Sequence, residues 1–131
     1  MRYLGIDFGS KRIGIAISDE SGIFSFPLMV LKNSSDLIKE IKDVCEENNV
    51  KEVIVGESRD FSMKENEIMK DIKIFIGDLK NKIDIPIYTH PEFLTSSEAK
   101  QIQGENDMLD ASAAAIILKS YLDVKNLKNQ K

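Results

Sequence analysis

Apolar and polar positions alternate from the start of the chain. Leu4, Ile6 and Phe8 fall on one face of a first strand, and Ile13, Ile15 and Ile17 on one face of a second. Gly9-Ser10-Lys11-Arg12 between them predicts a tight turn, with Gly9 free to take positive φ. Asp19-Glu20-Ser21-Gly22 predicts a second turn, and Ile23 to Leu31 a third strand edged by Pro27. Three strands linked by turns make an antiparallel meander.

The period then changes. Asn33-Ser34-Ser35-Asp36 opens a helix in which Leu37, Ile38, Ile41, Val44 and Cys45 share a face, and Asn48-Asn49 closes it. Val50 to Gly56 holds the continuous apolar run Val53-Ile54-Val55, which suits a strand buried on both faces. A strand entered through a helix is expected to lie parallel to a neighbour. Met63 to Asn81 predicts a second amphipathic helix, and Ile85 to Tyr88 a short fifth strand. Thr95-Ser96-Ser97-Glu98 has the form of a cap for a short helix through Gln103, followed by a polar loop over 104–108. Leu109 to Leu122 is the last predicted helix, and 125–131 a basic tail that need not be ordered. The expected architecture is α/β. A mixed five-stranded sheet, three antiparallel strands plus two parallel ones, carries helices on both faces in one domain over 1–124.

Composition narrows the class. A chain of 131 residues with 42% hydrophobic and 31% charged residues is an ordinary globular domain rather than a disordered one. No apolar run approaches the roughly 20 residues of a membrane helix, and the N-terminus lacks a signal layout, so no membrane partner is expected. The single cysteine, Cys45, excludes an internal disulfide and a cysteine-based zinc site, and a cytoplasmic location follows as the default. A net charge of −4 repels phosphate overall. Any nucleic acid must therefore be held by a local basic patch or through metal ions.

A few residues break the pattern. Asp7 sits inside an apolar strand, where a lone carboxylate is costly to bury without a partner or a cation. A metal would resolve that cost; so would the Ser10 hydroxyl or turn amides. Asp110, at the start of the last helix, suits an N-cap and the helix dipole. The alanines after it let that helix approach a sheet closely, which could bring Asp110 near Asp7. Two carboxylates from distant parts of the chain then repel unless a cation sits between them. Glu92, beside Pro91 and past the fifth strand, is a third acid, and Glu57, past the fourth, is an alternative to it. Lys11 and Arg12 lie on the turn next to Asp7, where cations can meet phosphate. His90, the only histidine, is given no role.

The stretch from Gly5 through Asp19 resembles the opening motif of the YqgF family, described as Holliday junction resolvases and as pre-16S rRNA nucleases. Leu109 to Leu122 is similar to its closing helix motif, so the resemblance covers about 3–122. It implies the RNase H-like fold and metal-dependent cleavage of phosphodiester bonds, with catalytic roles for Asp7 and Asp110. The middle departs from the family pattern. Pro91-Glu-Phe-Leu-Thr-Ser96 stands where Asp-Glu-Arg-Leu-Thr-Thr is usual, and Gly56-Glu-Ser58 where Gly-Leu-Pro is usual. The glutamate of the first motif is kept as Glu92.

The leading functional reading is a nuclease in which Asp7, Glu92 and Asp110 hold two divalent ions about 3.5–4 Å apart. All-carboxylate ligands favour Mg2+, with Mn2+ as a substitute. The expected partner is nucleic acid, either precursor rRNA or branched DNA. Junction resolution requires two sites and hence a homodimer, whereas RNA trimming suits a monomer. Two other readings compete with it: an RNA-binding module that has lost catalysis, and a fragment of an actin-like phosphotransferase, whose first phosphate loop Gly5-Ile-Asp-Phe-Gly-Ser also resembles.

Overall fold

A computed structural model of the chain describes residues 1–9, 11–58, 67–92 and 109–129. Five strands, β1 (Arg2–Phe8), β2 (Arg12–Ser18), β3 (Ser25–Lys32), β4 (Val50–Ser58) and β5 (Ile87–Glu92), form one sheet in the order β3-β2-β1-β4-β5. The pairs β1–β2 and β2–β3 are antiparallel, whereas β1–β4 and β4–β5 are parallel. The mixed sheet is thus the expected meander plus two parallel strands.

Strand alternation divides the core in two. On one face Leu4, Ile6, Ile13, Ile15, Val53 and Val55 pack against α1 (Leu37–Glu47) and α2 (Glu67–Lys82). On the other, Tyr3, Ala16 and Ile54 pack against Ala114, Ile117, Leu118 and Leu122 of α3 (Leu109–Asn129). The continuous apolar run at 53–55 is explained, since Val53 and Val55 fill one core and Ile54 the other. Asn48 closes α1 by returning both its backbone N–H and its side-chain amide to the Val44 carbonyl. Asn49 follows at φ 53, a left-handed conformation that asparagine tolerates.

Several boundaries differ from the sequence expectation. β5 runs from Ile87 to Glu92 instead of ending at Tyr88, carrying His90 and Pro91 inside the strand. An edge strand hydrogen-bonds on one side only, so it can accommodate a proline. Longer β5 pairing also extends β4, so that Glu57 and Ser58 belong to the strand and face Pro91 and Glu92 in register. α3 continues past Leu122 to Asn129. Gly9 does not take positive φ; among the described glycines only Gly22 does. The requirement at Gly9 is steric, because a Cβ there would lie 2.5 Å from the Arg12 carbonyl oxygen. In β3, Ile15 pairs with Met29 and Ala16 with Pro27, which leaves Leu28 as the extra residue of a bulge. Residues 59–62, the first turn of the second helix at 63–66, and the short helix and loop between Thr95 and Met108 lie outside the described residues.

One contact sets the distance between sheet and helix on the second face. A Cβ added to Gly5 would stand 2.8 Å from the Leu118 Cβ and 2.9 Å from the Ala114 carbonyl oxygen. Both obstacles are backbone or the root of a side chain, so neither can swing away. Gly5→Ala is therefore expected to lower the urea midpoint by an amount equivalent to roughly 1–3 kcal/mol, with an unchanged m-value. A Gly5→Ala protein as stable as the parent would mean that α3 does not rest on β1 here.

Candidate active site

The first strand decides which carboxylate belongs to which face. Tyr3 lies in the core beneath α3, and Gly5 touches Ala114 and Leu118, so the two-residue period assigns Asp7 to the α3 face as well. Asp7 is half-buried, pairs across to Gly14, and takes part in a polar interaction. β1 is the central strand, with partners on both sides, so this carboxylate stands on the least mobile part of the sheet.

The helix runs opposite to β1. Tyr121 lies by Tyr3, with ring centroids 6.5 Å apart, and Leu118 and Ala114 lie over Gly5. Two residues further along β1, about 7 Å, comes Asp7. One turn earlier in α3, about 6 Å, comes the backbone of Asp110. Both steps lead from the Gly5 contact toward the same end of the sheet. Ala111, Ala113 and Ala114 in that first stretch are buried, in keeping with the close approach expected from the alanines. The side chain of Asp110 lies outside the described residues, as does that of Glu92.

The two candidate glutamates fall on adjacent strands, with Glu57 opposite Pro91 and Ser58 opposite Glu92. They do not share a face. Val53 and Val55 belong to the α1–α2 core, so the same period carries Glu57 to that side, where it is half-buried and engaged in an interaction. Position 92 is in phase with Tyr88 and His90, whose rings stand near Tyr121 of α3. The pleat thus puts position 92, and not position 57, on the face of Asp7. Lys11 and Arg12 are exposed at the β1–β2 turn as expected; the Lys11 carbonyl accepts a hydrogen bond from the Asn33 N–H, while the Gly9 carbonyl accepts one from the Asn33 side chain. Among the described residues, no three of His, Cys, Asp and Glu gather into a group that could hold a metal ion. An open cleft of about 370 Å³ beside Phe8, Asn33, Asp71 and Asp78 belongs to the opposite face.

Sequence reasoning missed an aromatic cluster on this face of the sheet. All three tyrosines of the chain and its single histidine converge on α3. Tyr88 and Tyr121 are near-parallel at 6.4 Å, and His90 meets the Tyr121 ring edge-on at 6.1 Å. His90 Nε2 is 2.9 Å from Ser120 Oγ. Burial holds the imidazole below its ordinary pKa, against an upward pull from the Glu57 charge. The Tyr121 hydroxyl donates to Glu52 Oε1 at 3.1 Å, and Glu52 also pairs with Lys125 at 3.7 Å. The signal available in the sequence was the alternation Tyr88, His90, Glu92, hidden when the strand is read as ending at Tyr88.

A five-stranded mixed sheet in this order, with an aspartate on its central strand and a helix packed across it, is the RNase H-like architecture shared by junction-resolving nucleases. Two solved structures have the same fold: Thermus thermophilus RuvC in complex with a Holliday junction substrate (TM-score 0.63, 17% identity, 96% of both chains) and the fowlpox virus resolvase with junction DNA (TM-score 0.58, 13% identity, 95% of this chain and 99% of that one). Residues 1–124 match the RuvX family, described as Holliday junction resolvase, and the chain belongs to that family. Relatives from Dictyoglomus turgidum (34% identity over 97% of each chain) and a Sulfurihydrogenibium species (31%, over 98% of this chain and 94% of the relative) both carry the name "Putative pre-16S rRNA nuclease". The protein is a nuclease of this family, a hydrolase acting on phosphodiester bonds.

The tyrosine cluster makes a direct prediction for titration. Burial first, then the Glu52 charge and hydrogen bond, push the Tyr121 hydroxyl up to about 12. A phenol whose pKa is raised on folding stabilises the fold fully below the unfolded value, and that contribution is lost as pH rises toward the folded one. Absorbance at the phenolate band should show a late ionisation that is absent in Tyr121→Phe and shifted down in Glu52→Gln. A phenolate titration unchanged by either substitution would contradict the Tyr121–Glu52 interaction.

Proposed function

We propose that the protein is a metal-dependent endonuclease that processes the 5' end of pre-16S rRNA in the cytoplasm, using Asp7, Glu92 and Asp110. The observation that carries this reading is the Gly5 contact with Ala114 and Leu118. It draws the first turn of α3 toward the strand that holds Asp7. Position 92 supports the third place because its pleat phase matches Asp7, whereas Glu57 follows the opposite phase.

These residues suit a divalent cation. The donor set is carboxylate oxygen throughout, which fits Mg2+, with Mn2+ able to substitute. The close packing at Gly5, which a Cβ would block, allows carboxylates from two elements to approach. When bound, such ions supply an activated water and stabilise the leaving oxygen of a phosphodiester. Asp7, fixed on the central strand, is the reference point against which the other two acids are positioned. Lys11 and Arg12, exposed on the adjoining turn, contact the phosphates flanking the cleaved bond. Locally placed cations and bound metal offset a net charge of −4.

The names carried by the near-full-length relatives support precursor rRNA as substrate, and one site per chain then suffices without a dimer. The nuclease domain is 1–124, followed by residues 125–131. No helix among the described residues is long and apolar enough to cross a membrane.

Magnesium titrations of rRNA-precursor cleavage by three variants test the assignment. Asp7→Asn should abolish cleavage with the fold intact, because it removes a charge and almost no volume. Glu92→Gln should raise the magnesium needed for half-maximal cleavage and lower the saturating rate by roughly tenfold or more, as removal of a metal ligand does. Glu57→Gln should shift the requirement only modestly. Full cleavage by well-folded Asp7→Asn would overturn the catalytic role of this acid, and the reverse pattern of the two glutamates would transfer the third role to Glu57. RNA binding by the parent that persists in chelator, with no cleavage at any magnesium concentration, would identify an inactive binding module.

A further inference from the structure

The aromatic cluster lies on the same face as the proposed catalytic acids, and no part of the cleavage reading uses it. Tyr121 is its hub, with the Tyr3, Tyr88 and His90 rings 6.5, 6.4 and 6.1 Å from it. On the Tyr3 side Lys51 Nζ and Lys125 Nζ stand over that ring, 4.9 and 5.6 Å from its centroid. On the other side His90 meets Ser120. β5 carries Tyr88, His90 and position 92 in one pleat phase, so Tyr88 lies about 13 Å along the strand from position 92.

Tyr88 is the outward member. It is 46% exposed, whereas Tyr3 beneath the lysines is 5% exposed. One side of its ring is backed by Tyr121, which holds it against the helix. An exposed, pre-positioned aromatic ring costs little ordering entropy when a flat partner settles on it. Two lysines stand together at the Tyr3 end of the cluster, opposed locally by Glu52, which pairs with Lys125 and accepts the Tyr121 hydroxyl. Cations beside exposed aromatic rings match the two surfaces of a single nucleic-acid strand, its phosphates and the faces of its unpaired bases.

We propose that the surface formed by Tyr88 of β5 and the neighbouring Lys51 and Lys125 binds a single-stranded segment of the nucleic acid, one base stacking on Tyr88 and phosphates contacting the two lysines. This rests on the nuclease reading for its direction, since Tyr88 and His90 lead along β5 toward position 92. The ligand is an unpaired strand because a duplex keeps its base faces stacked and offers none to a side chain. Tyr88 thereby selects substrates with a single-stranded flank a few nucleotides from the cleaved bond. It is a binding residue, outside the reacting centre.

The chain contains no tryptophan and its three tyrosines all belong to this cluster, so its tyrosine emission reports on the cluster alone. Titrating the full-length protein in chelator with short oligouridylate should quench tyrosine emission, and a blunt RNA duplex of equal length should not. Tyr88→Ala should weaken oligouridylate binding about 5- to 100-fold, and Tyr88→Phe, which keeps the ring, should bind within about twofold of the parent. Lys51→Ala with Lys125→Ala should flatten the dependence of log affinity on log salt by about 0.7 for each phosphate that the lysines no longer neutralise. Binding is read without cleavage, so the two readings fail separately. Parent-like binding by Tyr88→Ala, or equal quenching by duplex, overturns the strand site and leaves the nuclease reading standing. Normal strand binding alongside no cleavage at any magnesium level removes the nuclease reading and keeps the strand site. Should Tyr88→Ala fail to fold, the Tyr88→Phe affinity, the duplex control and the lysine salt slope still decide: absent quenching or an unchanged slope overturns the proposal.

Discussion

The arrangement depends on a missing methyl group. Gly5 lets α3 settle against the central strand, with the Leu118 Cβ and the Ala114 carbonyl occupying the space a side chain would take. The alanines of the first turns extend that approach toward the end of β1. A larger residue at Gly5 would separate the two elements, and the separation would carry through the rigid helix to its N-terminus. Packing and function are linked here because the close approach lies between the tyrosine row and Asp7 on the same face.

The two cores have different jobs. The α1–α2 face is filled by branched and aromatic side chains, including Ile6, Ile15, Ile41, Ile72 and Phe75, and supplies most of the buried apolar volume. The α3 face is thinner, with small residues at one end and tyrosines at the other. A thin layer fixes the spacing of polar groups more closely than a thick one, since fewer flexible side chains stand between backbones. Asp7 and the tyrosine row both lie on this side. Glu57 follows the phase of Val53 and Val55, toward the thick layer.

Much of this could be read from the chain because it rests on period and composition. The hairpin, the doubly buried run at Val53-Ile54-Val55 and the small face of the last helix each have a local cause, and each appears in the structure. The opening glycine-aspartate strand and the alanine-rich closing helix also carried the family resemblance. What could not be read was where pairing overrides a local breaker. Pro91 stops a strand in isolation but is tolerated on an edge, and the extended β5 brings its partner β4 out to Ser58. That single extension changes the standing of Glu57 from a loop acid to a strand residue of the other phase. It also joins Tyr88 and His90 to position 92. The convergence of Tyr3, Tyr88 and Tyr121 was invisible for a different reason: it depends on the helix running antiparallel to β1, which no local pattern encodes.

The proposed site draws Asp7 and Asp110 together across the Gly5 contact. Two carboxylates placed together by a fold repel each other when no cation lies between them, and they separate on unfolding. A double-mutant cycle of Asp7→Asn and Asp110→Asn, measured by urea unfolding in chelator, reads that repulsion directly. The account predicts that either single change relieves it and that the second adds nothing further, a coupling of roughly 0.5–3 kcal/mol. Added magnesium should stabilise the parent and none of the variants. Effects that add to within about 0.5 kcal/mol, with no magnesium stabilisation of the parent, would contradict it.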